Sequence, residues 1–189
     1  MDYIVAQGIG IIAMGANILS YQFKSKRNIL LFQMVGSLFF AVNMYLLGSM
    51  IGCLLNSIGI LRTIVYLQKD RKGFPTKTLT GAFILMFIAA YILVFTLFEK
   101  EPTPINLLVE VLPVVAMCAL TIGSSLTGTT AIRVCAFISS PCWLTYNFIN
   151  VAIGGILCEI FTLTSVILAF VRLDKKKKSE GSESFTEIE

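Results

Sequence analysis

Residues 139–159 read S-S-P-C-W-L-T-Y-N-F-I-N-V-A-I-G-G-I-L-C-E. The stretch runs through one apolar segment, turns at a short polar and glycine-bearing corner, and carries the carboxylate of Glu159 deep into the next segment. In water it would be an ordinary helical hairpin. In lipid it sets Pro141, Trp143, Asn147, Asn150 and Glu159 where hydrocarbon offers polar groups no partner. Composition decides for lipid. Of 189 residues, 56% are hydrophobic and 14% charged, whereas about a quarter of a soluble domain is charged.

Working outward, the apolar residues fall into blocks at 3–23, 28–47, 50–68, 79–98, 105–122, 131–149 and 152–172. Crossing ~30 Å of hydrocarbon at ~1.5 Å per residue takes about 20 residues, and the blocks match that length. The expected fold is all-α: a polytopic membrane protein with seven transmembrane helices, forming one domain over residues 1–172 whose surrounding partner is the lipid bilayer. Only Met1 and Asp2 precede the first block. Without a basic leader, and with an apolar run too long for a signal peptide, it reads as a retained helix.

Loop charge sets the orientation. Lys24, Lys26 and Arg27 follow the first block, and Lys69, Arg71, Lys72 and Lys77 follow the third. Arg133 opens the sixth, and Arg172 with Lys175, Lys176, Lys177 and Lys178 follows the seventh. The opposite corners carry only Glu99, Lys100 and Glu101. Basic residues mark the cytoplasmic side, so the N-terminus is expected outside and the C-terminus inside. The net charge of +4 then belongs to an inner rim and implies no nucleic-acid partner. Residues 173–189, too polar to fold, are expected to form a disordered cytoplasmic tail.

Cys53, Cys118, Cys135, Cys142 and Cys158 all lie inside apolar blocks without CxxC spacing, which reads as packing. No histidine is present, so the commonest metal ligand and general base is missing. No phosphate-binding, metal-hydrolysis or nucleophile motif occurs. The chain is read as no enzyme, with no cofactor and no metal site.

Sliding residues 29–69 against 132–172 aligns Ser37 with Ser140, Phe40 with Trp143, Gly52 with Gly155, Asn56 with Glu159 and Lys69 with Arg172. Asn43 meets Asn147 only after a one-residue slip. Two bundles of three helices, the same way up, need one further crossing between them. The chain therefore divides into repeat one (3–68), a linker helix (79–98) and repeat two (105–172), a parallel-repeat plan known among transporters.

The segment Y-Q-F-K-S-K-R-N-I-L-L-F-Q-M-V-G-S-L-F-F-A-V-N-M-Y-L-L-G, with S-P-C-W-L-T-Y-N and G-G-x-x-x-E in the second half, resembles the YgjV-like family of bacterial inner-membrane proteins. The resemblance covers nearly all of the chain up to Arg172. It implies a place in the inner (plasma) membrane and a distant similarity to the SWEET and PQ-loop transporters, with their three-plus-one-plus-three helices. Those transporters carry a proline in the first helix of each repeat. Pro113 fills that place in the fifth block, while the first block has only Gly8, Gly10 and Gly15.

Depth along each block places Asn43, Asn56, Glu110, Trp143, Asn147 and Glu159 within ~10 Å of the outer boundary. Asn17, Gln33 and Arg62 fall at a similar depth from the inner one, with Ser37, Gly59, Pro113, Ser139, Ser140 and Pro141 between. Acidic residues in the membrane are costly and usually face a cavity. The leading expectation is a small-solute transporter or facilitator that binds a small polar solute near the midplane between the repeats. Asn43, Ser140, Trp143 and Asn147 would contact it, and Glu159 would be the polar or protonatable element. Asn17, Gln33, Asn56, Arg62 and Glu110 are secondary polar positions. Arg62 has a stem long enough to snorkel inward. Each of these residues also has a packing role open to it, the amides as interhelical glue. The competing expectation is a non-transporting interaction or assembly module, for which the small-xxx-small spacing of Gly48 and Gly52 would serve helix contact or a homo-oligomer.

Overall fold

The structure, a computed structural model, describes residues 2–20, 22–23, 25–72, 75–126 and 129–168. The expected tail at 173–189 and the Lys69–Arg172 match lie outside them, in whole or in part. Seven helices are present among the described residues: α1 (Asp2–Ser20), α2 (Lys26–Leu46), α3 (Met50–Lys72), α4 (Thr76–Thr96), α5 (Pro104–Ser125), α6 (Thr129–Ile149) and α7 (Ile153–Leu168). The first five are long and apolar enough to cross a membrane, and the apolar parts of α6 and α7 are shorter.

Helix ends differ from the hydropathy blocks for local reasons. α1 stops at Ser20, whose hydroxyl donates to Asn17 O at 2.6 Å, while Gln22 and Phe23 bond back only three residues. That tightening turn ends an α-helix. α3 runs past residue 68 to Lys72, because lysine and arginine are good helix formers once the chain reaches water. α5 begins at Pro104, with Thr103 Oγ1 accepting from Asn106 N at 3.2 Å. A proline in the first turn suits a helix start, where its missing N–H costs nothing.

The α2–α3 and α6–α7 corners are built alike. At the first, Ser49 N bonds to Met44 O and Gly48 N to Tyr45 O, with Gly48 at φ 76°. At the second, Ala152 N bonds to Asn147 O and Val151 N to Phe148 O, with Val151 at φ 51°. Both are Schellman caps, which close a helix through one left-handed residue. The register is the ungapped one in which Ser37 matches Ser140. Met44, not Asn43, therefore stands where Asn147 stands, and the one-residue slip suggested by the two asparagines is not the structural register.

α2 packs between α1 and α3, α5 packs on α6, and α4 lies against α3 and α5. The core joins Met44, Ile51, Leu55, Phe83, Phe87, Val94, Met117 and Tyr146. Large apolar side chains such as Leu85, Ile92, Leu108, Phe148 and Phe161 point outward on every side. Water would penalise so continuous an apolar surface; lipid does not.

Candidate functional site

A cavity of about 80 Å³ lies inside the bundle, room for roughly five to eight waters. Every helix except α4 contributes to its wall. The four pairs Ser37 and Ser140, Phe40 and Trp143, Met44 and Asn147, and Asn56 and Glu159 all line it, and each pair is matched by the register of the two corners. A glycine one turn into α3 and into α7 keeps this wall tight. A Cβ on Gly52 would sit 3.0 Å from Met44, and one on Gly155 would sit 2.6 Å from Asn147.

Of the five residues expected to touch a solute, Ser140, Trp143, Asn147 and Glu159 come together at this cavity. Asn43 does not line it. Its amide is buried against α1, donating to Ala6 O at 2.7 Å and packing on Gly10. Trp143 is buried edge-to-face against Tyr146, with ring centroids 5.9 Å apart. That inward position differs from the interfacial belt a membrane tryptophan often occupies. Ser140 Oγ and Asn147 Oδ1 are buried without a hydrogen-bond partner, an expensive state for polar atoms. Ser140 Oγ lies beside the Glu159 carboxyl but completes no bond of good geometry.

Asn17, Gln33, Asn56 and Arg62 also line the cavity. Asn17 donates to Ala13 O at 3.4 Å and Asn56 to Gly52 O at 2.8 Å, so each spends an N–H on its own helix. Arg62 does not snorkel. It is buried, and Nη1 donates to Thr121 Oγ1 on α5 at 2.9 Å. Among the described residues, no ion pair joins Arg62 to Glu159.

Glu110 sits elsewhere. It is buried at the end of the bundle that holds the residue 47–49 and 150–152 corners, in an ion pair with Lys100. A separate cavity there is lined by Gly48, Met50, Ile51, Val94, Phe98, Lys100 and Glu110. Gln7 of α1 bonds to the α6–α7 corner at the same end. Gln7 Nε2 donates to Val151 O at 2.9 Å, and Gln7 Oε1 accepts from Ile153 N at 3.0 Å. Ser49 Oγ donates to Asn150 Oδ1 at 2.5 Å, tying corner to corner. Polar bonds thus close this end of the bundle, while the cavity reaches Asn17 and Thr162 on the other side.

Thr121 and Lys100 are missing from the sequence-derived site. Thr121 gives no signal in sequence, since a threonine in an apolar helix usually bonds its own backbone, as this one also does to Met117 O. Lys100 counts as a loop charge until the loop is seen to return to Val94 O.

A family model described as bacterial inner membrane protein, Imp-YgjV, matches residues 4–177. The chain belongs to that family. The match spans all seven helices, so the cavity belongs to the family domain and not to an appended segment. No curated protein and no solved structure matches the chain.

Proposed function

We propose that this Imp-YgjV protein is a small-solute transporter or facilitator of the inner membrane. Its two halves are a duplicated three-helix unit joined by α4, the SWEET-like arrangement. The observation that carries the reading is the cavity wall. Matched residues of the two halves line it, and α4 contributes none. A site at a pseudo-symmetry axis is where two repeats can rock against each other while the solute stays put. The closed end with Ser49, Asn150 and Gln7 then faces outside, and the cavity leads toward the basic, cytoplasmic end, with the N-terminus outside and the C-terminus inside.

A sealed assembly module is less well supported. It would have no use for unpartnered Ser140 and Asn147 oxygens on an internal space, and Gly52 is already occupied by Met44 of its own chain.

Flux of radiolabelled small polar solutes into proteoliposomes tests the proposal. The wild-type protein should pass at least one of them, and Glu159→Gln with Asn147→Ala should slow it about tenfold or more, the effect of losing two buried polar contacts. Equal flux in wild-type, double-variant and protein-free vesicles would sink it.

A further inference from the structure

Arg62 and Glu159 face one small cavity from α3 and α7. One is basic and the other acidic, and they form no ion pair with each other. Arg62 has five N–H donors, and among the described residues its only hydrogen bond goes to Thr121. Beside the Glu159 carboxyl lies the Ser140 hydroxyl, a neutral group and not a cation. Two charges withdrawn from water cost several kcal/mol each unless something compensates them.

We propose that the cavity takes a small zwitterion, a solute with an ammonium group and a carboxylate a few atoms apart. The inference rests on the solute-binding reading of this site. The carboxylate pairs with Arg62, whose planar fork suits it, and the ammonium pairs with Glu159. Asn147 Oδ1 and Ser140 Oγ are buried and lack partners. Ser140 Oγ, beside the Glu159 carboxyl, can accept from the ammonium, which has three N–H groups. Phe40, Met44, Met117 and Trp143 supply an apolar wall for a short side chain. Room for roughly five to eight waters limits the solute to about that many non-hydrogen atoms, the size of alanine or serine. A carboxylate-only solute leaves Glu159 uncompensated and repels it, an amine does the same to Arg62, and a sugar neutralises neither.

The probes are L-alanine, its deamino analogue propionate, its decarboxy analogue ethylamine, and glucose. Binding to the purified full-length protein is followed by calorimetry, and passage by counterflow in proteoliposomes. L-Alanine should bind best. Glu159→Gln should weaken L-alanine roughly thirtyfold or more and shift preference toward propionate. Arg62→Gln should weaken it similarly and shift preference toward ethylamine. Opposite shifts in two variants that remain monodisperse cannot come from general damage.

Glucose or a single-charge solute passing while L-alanine neither binds nor passes would overturn the zwitterion assignment and leave transport standing. L-Alanine binding that depends on both residues, with no solute passing, would uphold the assignment and remove transport. L-Alanine binding that neither variant alters, or no binding of any probe, also overturns the assignment.

Discussion

Val151 holds φ at 51° in the cap that joins α6 to α7, a conformation β-branched residues rarely adopt. Gly48 occupies the matching place at the α2–α3 corner without that cost. Val151→Gly should therefore stabilise the protein by about 1 kcal/mol, read as a rise in its unfolding temperature in detergent. Gly48→Val should lower it. Charge at the neighbouring ion pair gives a second ordering. Glu110 is 1% exposed, so Lys100→Met leaves a buried carboxylate uncompensated, while Glu110→Gln removes the charge that needs compensation. Thermal unfolding should rank Lys100→Met as the more damaging. At this scale the sequence tells which residues are polar and roughly how deep they lie. It does not tell which way each one turns. Asn43 and Asn147 look equivalent as letters, yet one bonds α1 and the other lines the cavity.

Among the elements, α1 and α7 cross closely at two glycines. A Cβ on Gly154 would fall 2.8 Å from Gly10 Cα and closer still to its carbonyl, so the two backbones touch. Gly154→Val should force them apart and cost about 3 kcal/mol or more as an overpacking change against rigid backbone, seen as loss of monodisperse protein on gel filtration. Gly8→Ala is the control, because nothing lies within 4 Å of that site. Helix count and order are legible in the hydropathy blocks, since lipid demands long uninterrupted apolar runs. Helix ends are less so. They depend on caps such as Thr103 and turns such as the one after Ser20, where hydrogen bonds rather than hydropathy decide. The Gly10–Gly154 crossing is invisible in sequence, because it joins residues far apart in the chain whose only mark is a missing side chain.

For the whole molecule, the spacing shared by the two corners also appears in the cavity wall. The offset that aligns Ser37 with Ser140 in sequence aligns the two corner caps in space and brings four matched pairs to one wall. That much is legible because equal spacing shows in the sequence even where the residues differ. The closed end is not, since Ser49 with Asn150 and Gln7 with Val151 pair across the halves. Gln7→Ala with Ser49→Ala should loosen that end and raise the protein's hydrogen exchange at residues 150–153, with little change in α4. Transport requires the interior cavity to be reachable from water, and one thiol measures it. In a background with the five native cysteines replaced, the Ser140→Cys variant should react with a membrane-impermeant maleimide applied from the cytoplasmic side of oriented vesicles. Lipid-facing Phe148→Cys should stay unlabelled. Silence at both positions in a folded protein would mean a bundle packed shut, and would contradict the account.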